Sequence, residues 1–141
     1  MRLFPLLAAL AVTACTTAEA QDPTGVEWEL LAIDGQVVDI PATLTLGPNG
    51  DVAGKAPCNS YAGSNRATLP ALQLTAIRAT RMACDRLDDE QVFFAALSAM
   101  TRLDRRDDRT LVLTGPDGRS MEFASDLMST LTRCTTCAPK N

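Results

Sequence analysis

The sequence contains no histidine and few aromatic residues. Its 141 residues include no His, one Trp, one Tyr and four Phe. Without histidine the chain cannot form a Ser-His-Asp or Cys-His catalytic site, a His-ligated zinc or haem centre, or a histidine pH switch. These absences favour a binding or structural module over an enzyme, and we expect neither a cofactor nor a metal site.

Positive charge is also scarce. The chain has 13 Lys and Arg against 17 Asp and Glu, which gives a formal net charge of −4. This balance lacks the basic footprint of a nucleic-acid-binding domain. Hydrophobic residues make up 46% and charged residues 21% of the chain. A folded globular chain is therefore expected rather than a disordered one, and its length suits a single domain.

Only one long hydrophobic run stands out, and it lies at the N-terminus. Residues 3–14 (LFPLLAALAVTA) follow a short basic start. This arrangement is typical of a signal peptide, and the run is too short to span a bilayer. Two cleavage sites compete. Residues 12–15 (VTAC) resemble a bacterial lipobox, in which Cys15 receives the lipid, whereas cleavage after Ala20 would fit ordinary signal peptidase.

The lipobox is the preferred site because it follows the apolar run directly. We therefore predict a signal peptide over residues 1–14, lipidation at Cys15 and a flexible polar tether over residues 15–24. Thr16 is not the Asp associated with inner-membrane retention in enteric bacteria, so an outer-membrane lipoprotein facing the periplasm is expected. The alternative is a soluble periplasmic or secreted protein.

Short segments with strand-like alternation are separated by turns rich in Gly, Pro and Asn. Residues 85–102 form the one predicted helix, because acids crowd its start and apolar residues recur along one face. Residues 55–64 are predicted to be irregular, and residues 126–131 to form a last helical turn. The pattern predicts an α+β domain in which the helix covers an antiparallel sheet. The predicted strands and extended stretches cover residues 26–33, 37–40, 43–46, 51–54, 72–74, 77–84, 110–114 and 119–123.

Two cysteine segments carry a resemblance to a known family. Residues 58–63 (CNSYAG) and 80–84 (TRMAC) precede the predicted helix in that order. Together they resemble the META domain, the HslJ-like family of bacterial envelope proteins, over residues 25–131. Pro57 departs from the family pattern, which usually has glycine there. Residues 132–141 form a C-terminal tail outside that pattern.

The resemblance implies a small antiparallel sheet, curled into a partial barrel or roll, with one main amphipathic helix packed on it. It also implies export or lipid anchoring and, for some members, a link to envelope stress. No catalytic activity is established for the family as a whole. The resemblance therefore bears more on fold and location than on mechanism.

Four cysteines remain once Cys15 is assigned to the lipid: Cys58, Cys84, Cys134 and Cys137. In an oxidising compartment they predict two disulfides, for which three connectivities are possible. We expect a structural bond between Cys58 and Cys84. For Cys134 and Cys137 we expect a local disulfide or a crosslink from the tail to the body. A thiol redox or metal role is the alternative, although this pair lacks both a βαβ setting and histidine ligands.

Asn59, Ser60, Tyr61 and Arg81 are the candidate contacts for a ligand or partner. Asn and Ser in an irregular segment more often satisfy backbone groups. Arg81 more often pairs with an internal carboxylate, although its planar fork would also suit a carboxylate or phosphate of a ligand.

The preferred function is a non-enzymatic, monomeric accessory or binding module in envelope maintenance or stress response. Its expected partner is an envelope protein, and its lipid anchor would hold it at the membrane. Two alternatives stay open. One is a carrier of an apolar ligand in a half-open barrel, and the other is a thiol redox protein that uses the C-terminal Cys-x-x-Cys pair.

Overall fold

The computed structural model describes residues 22–126, which form one antiparallel sheet and one long helix. The helix is α1 (Leu87–Ala99). This architecture confirms the predicted α+β class. In chain order, the strands are β1 (Glu27–Ile33), β2 (Gln36–Val37), β3 (Thr43–Leu46), β4 (Asp51–Lys55), β5 (Ser60–Asn65), β6 (Leu74–Ala79), β7 (Arg102–Arg105), β8 (Thr110–Thr114) and β9 (Ser120–Ala124).

Strand β1 lies in the middle of the sheet and joins its two halves. The strand order is β6-β5-β4-β3-β1-β9-β8-β7, and β2 pairs with β1 beside this path. In the β3–β4 hairpin Thr45 lies opposite Ala53, and in the β8–β9 hairpin Val112 lies opposite Glu122. Both hairpins are the ones that the Gly-Pro turns of the sequence predict.

The end strands β6 and β7 do not pair with each other, so the sheet is not closed into a barrel. The partial barrel or roll implied by the family resemblance is therefore not confirmed. A short bridge does connect the two halves. The Leu72 N–H donates to the Thr101 carbonyl at 2.8 Å, and the Leu103 N–H donates to the Pro70 carbonyl at 2.8 Å. The connection between β5 and β6 thus lies along the outer edge of β7.

The core is built by β1, the two hairpins and α1. Trp28 of β1 is completely buried. Its indole N–H donates to the Pro23 carbonyl at 3.1 Å, and the Arg105 guanidinium lies 5.4 Å from the ring centre. Apolar side chains of alternate strand positions fill the rest, as expected for a sheet with one covered face. The largest fully buried side chains are Trp28, Phe93, Phe123, Leu44, Leu97, Leu111, Leu113, Met121 and Val52.

Several segments differ from the sequence-based prediction, among them β2, which ends at Val37 rather than at residue 40. Ser60–Asn65, which overlaps the stretch predicted to be irregular over residues 55–64, forms β5 and pairs with β4 at five successive positions. The predicted helix over residues 85–102 is shorter at both ends and spans Leu87–Ala99, and Arg102 already belongs to β7. The extended stretch predicted to reach residue 84 ends as a strand at Ala79.

Several predictions lie outside the described residues: the signal peptide, Cys15, the helical turn beyond residue 126, and the tail with Cys134 and Cys137. Within residues 22–126, no helix is both long and apolar enough to cross a membrane.

Candidate functional site

A buried glutamate on α1 organises the first cysteine segment. Glu90 is only 8% exposed. Its Oε2 accepts hydrogen bonds from the backbone N–H groups of Cys58 and Asn59, both at 2.9 Å, and its Oε1 accepts one from the Asn59 side-chain amide at 2.7 Å. A carboxylate withdrawn from water needs such donors, because an unsatisfied one would carry a large desolvation penalty. These contacts join α1 to the segment that leads into β5.

Asn59 connects the two cysteine segments to each other. Its side-chain oxygen accepts hydrogen bonds from the Thr80 hydroxyl at 2.8 Å and from the Met82 N–H at 2.7 Å. The Thr80 oxygen in turn accepts a bond from the Ser60 N–H at 3.2 Å. An amide side chain suits this position because it donates on one side and accepts on the other. We call Asn59, Thr80 and Glu90 the polar network.

The disulfide between Cys58 and Cys84 lies beside the polar network. Its Cα atoms are 5.8 Å apart, and the bond closes a sequence separation of 26 residues. Cys84 is exposed, and its sulfur accepts a hydrogen bond from the Arg86 N–H at 3.4 Å. The expected disulfide between Cys58 and Cys84 is therefore confirmed.

Tyr61 is a core residue. It is 3% exposed, its hydroxyl donates to the Thr43 carbonyl at 2.8 Å, and its ring lies 5.6 Å from that of Phe93 and 5.5 Å from that of Phe94. Burial raises the pKa of the phenol above its ordinary value. Gly54 makes room for this contact, since a Cβ there would lie 2.1 Å from the Thr43 carbonyl oxygen.

The structure separates the four predicted contact residues into two pairs. Asn59 and Tyr61 are buried and hydrogen-bonded inside the domain, so a partner has no access to them. Ser60 and Arg81 are exposed. Arg81 forms no ion pair with any residue in the described part of the chain, so the internal pairing expected for it is not found there. Ser60 and Arg81 are thus the two surface positions of the set.

Glu90 is the central residue of this site that the sequence interpretation missed. The acids at residues 85–90 were all expected to serve the start of the helix. Asp89 does so, because it pairs with Arg86 at 2.8 Å, but Glu90 is buried. Glu90 lies three positions before Phe93 and seven before Leu97, on the apolar stripe itself, and this spacing is the signal that could have revealed it.

Metal ligands are not grouped in the part of the chain that the structure describes. Within residues 22–126, no set of three or more His, Cys, Asp or Glu side chains is placed to hold a metal ion.

An apolar groove lies next to the polar network, between β6 and α1. Its volume is about 440 Å³. We call it the β6 groove, and its lining consists of Ile77 and Ala79 of β6 and Phe94, Ala95 and Ser98 of α1.

Comparison with known proteins gives one family and several similar folds. The sequence profile of the META domain matches residues 21–134. A protein from Burkholderia xenovorans solved by NMR is 25% identical, with a TM-score of 0.57, over 88% of this chain and 97% of that one. A second protein solved by NMR is 19% identical, with a TM-score of 0.53, over 73% of this chain and 92% of its own.

A crystal structure of a DUF4847 family protein from Bacteroides vulgatus is 11% identical, with a TM-score of 0.55, over 74% of this chain and 94% of that one. At this identity, and at that of the second NMR structure, the likeness shows the fold alone. No curated protein matches the chain.

Proposed function

Since the chain belongs to the META domain family, we propose that it is an exported accessory module of the bacterial cell envelope. It is anchored by a lipid at Cys15, it binds envelope proteins through its surface, and it catalyses no reaction of its own. It serves envelope maintenance or the response to envelope stress.

The observation that supports a binding module without catalysis is that the polar side chains of the two cysteine segments form hydrogen bonds within the domain. The side chains of Asn59, Thr80 and Glu90 bond to one another and to nearby backbone groups. Side chains committed in this way build a rigid support and are not free to act on a substrate. The support presents Ser60 and Arg81 at the surface, where their side chains are open to a partner.

The anchor is tested by the intact mass of the protein from a native membrane fraction, measured with and without reduction and alkylation. We expect a mass that begins at Cys15 and includes acyl chains, with all four remaining cysteines oxidised. A mass that begins at Gln21 would contradict the anchor and make the protein soluble. Free thiols at Cys134 and Cys137 would instead favour the thiol redox alternative.

Partner binding is tested by photo-crosslinking in living cells from position 81. We expect one discrete crosslinked product between this chain and an envelope protein. An excess of this chain without the photo-crosslinker should compete for the partner and abolish that product. Arg81→Ala should weaken this competition, whereas Arg66→Ala should not. Arg66 is a matched control, because it too is exposed and forms no ion pair among residues 22–126. Equal competition by the two variants would contradict a contact at Arg81.

A second candidate function is the carriage of an apolar ligand, favoured by another groove. This groove measures about 430 Å³, and Pro23, Leu69, Pro70 and Leu103 supply its apolar lining. The core is filled by side chains such as Trp28, so a ligand would occupy this surface groove. Native mass spectrometry of gently extracted protein tests the idea, and the absence of any co-purifying lipid would contradict it.

A further inference from the structure

The outer edge of β6 has backbone groups that no other strand of residues 22–126 covers. β6 pairs only with β5. The Thr80 N–H points towards β5, since it donates to the Ser60 carbonyl at 3.0 Å. Hydrogen-bonded and non-hydrogen-bonded positions alternate in an antiparallel ladder. The N–H and carbonyl of Ala79 and the carbonyl of Ile77 therefore point away from the sheet.

The same two residues also line the β6 groove. Ile77 and Ala79 supply its strand side, and Phe94, Ala95 and Ser98 supply its helix side. An occupant that bonds to the backbone of this edge would place every second side chain into the groove. That combination is the geometry of strand addition, in which main-chain bonds give affinity and pockets for alternate side chains give specificity. A lipid or small molecule would leave the backbone groups unmatched.

Positive charge flanks this edge. Arg78 and Arg81 are exposed, and neither forms an ion pair with the described residues. No acidic side chain lines the groove. Two copies of the chain paired through β6 would bring these arginines towards each other, and like charges on paired strands are unfavourable. An acidic segment of another protein would meet complementary charge instead.

We propose that the edge of β6 and the β6 groove bind an extended segment of a partner protein that alternates apolar and acidic residues. The segment adds to the sheet as a further strand next to β6. Its apolar side chains enter the groove, and its acidic side chains lie on the face that carries Arg78. This inference rests on the proposed binding function and assigns it a place and a class of partner.

The first test uses a synthetic peptide, acetyl-Val-Glu-Val-Glu-Val-Glu-amide, and the oxidised mature chain with Cys15→Ser. NMR of the labelled protein should show saturable shifts concentrated at Ile77–Arg81 and on the groove side of α1. A peptide with Lys in place of Glu, or with methylated backbone nitrogens, should bind at least about tenfold more weakly. Equal binding of all three peptides would overturn the proposal.

Two substitutions on α1 form a matched pair. Ala95→Glu places a negative charge in the β6 groove, and Val92→Glu places the same charge on an exposed position outside its lining. We expect at least about tenfold weaker peptide binding for the first and unchanged binding for the second. Ala79→Pro should also weaken binding, because it removes the outward N–H and leaves the bonds to β5 in place. Equal affinity for all variants would overturn the proposal.

Other occupants of the edge give distinct results. Hydrogen exchange of the Ala79 amide in the isolated monomer should be fast, and strong protection there would mean that the chain covers its own edge. A dimer that Ala79→Pro dissociates would mean that a second copy is the occupant. Either result would overturn the proposal.

A crosslinking experiment in cells separates this inference from the proposed function. Crosslinks from position 95 to the same envelope protein that is captured from position 81 would support both. Crosslinks from position 81 with none from position 95 would overturn the proposal that the partner binds in the β6 groove, and would leave the proposed binding function intact. No crosslinks from any surface position would overturn the binding function itself.

Discussion

The two end strands of the sheet are protected in opposite ways. β7 carries charged residues, including the Arg102–Asp104 pair at 2.6 Å, and its outer edge bonds to the connection between β5 and β6. β6 carries one charged residue, Arg78, and no described segment covers its outer edge. Natural sheets guard their edges with charge, bulges or covering segments, because an unpaired strand recruits others. β6 is guarded by the charge of Arg78 and by a bulge at Ala76, where φ is 53°, but not by a covering segment of the described residues.

This difference between the two end strands shows which of them depends on side-chain hydrogen bonds and a disulfide for its stability. The β7 end is stabilised by backbone pairing and core packing. At the β6 end, the polar network joins α1 to the two cysteine segments, and the Cys58–Cys84 bond joins the segment before β5 to the segment after β6. These contacts hold an open edge in a fixed shape, and such pre-organisation raises the affinity of a binding surface. Loss of one of these contacts should therefore affect β5 and β6 before β8 and β9.

Removal of Glu90 should have the largest effect. Glu90→Ala leaves three hydrogen-bond donors without an acceptor, and we expect a loss of roughly 3 to 5 kcal/mol in the free energy of unfolding. Urea unfolding measures the loss, and hydrogen exchange should accelerate first in β5 and β6. Gln91→Ala, on an exposed position of the same helix, should change the stability by less than about 0.5 kcal/mol. Similar losses in both variants would contradict a central role for Glu90.

The disulfide should rank second. Replacement of Cys58 and Cys84 by Ser opens a loop of 26 residues, which should cost about 3 kcal/mol through the entropy of the unfolded chain. Urea unfolding of the double variant measures this cost. The matched control is the double replacement of Cys134 and Cys137 by Ser. An equal loss of stability in the control and in the Cys58 and Cys84 variant would contradict a special role of the Cys58–Cys84 bond in stabilising the β6 end.

Tyr61→Phe should have a smaller effect that depends on pH. It removes one hydrogen bond, to the Thr43 carbonyl, and should cost about 1 kcal/mol at neutral pH. Burial raises the pKa of Tyr61, so the unfolded chain loses the phenol proton first, above about pH 10. The wild type should therefore lose stability as the pH rises through this range, and the Phe variant should not. Parallel stability profiles of the two proteins in alkali would contradict this.

The smallest effect on stability should come from Asp34, which directly follows the C-terminal end of β1. The Ser120 N–H donates to its carboxylate and, together with Arg119, lowers its pKa below the ordinary value. Its contribution to stability is present above that ordinary value, about 4, and is lost as the pH falls through the folded pKa. Asp34→Asn should thus be slightly less stable at neutral pH and equal to the wild type in acid. Unfolding curves at neutral and acidic pH measure this difference, and an equal loss of stability at both would contradict it.

The parts of the fold that depend on local pattern could be predicted, and the long-range parts could not. β3 and β8 match their predicted bounds, because alternating residues flank strong turns. β5 was missed because its sequence, SYAGSN, has no β-branched residues, and its order comes from pairing with β4. A contact across the chain, such as Glu90 with Asn59, leaves no local trace beyond an acid on an apolar stripe.

The candidate site was predicted in part for the same reason. The two cysteine segments mark the place where β5, β6 and α1 meet, and the structure joins them by a disulfide. Which of their side chains face inwards depends on the packing of α1, so the burial of Asn59 and Tyr61 could not be deduced from residue type. The β6 groove likewise exists only after strand and helix are assembled.

The central place of β1 has a consequence for the order in which the protein is made. β1 pairs with β3 on one side and with β9 on the other, and in the latter pair Glu29 lies opposite Ala124. The first described strand therefore pairs with the last described strand, and the sheet is continuous only when both are present. A chain still under synthesis lacks that closing strand and cannot complete its core, because such distant pairings form late and slowly. We therefore expect the two halves of the sheet to join only after β9 has been made.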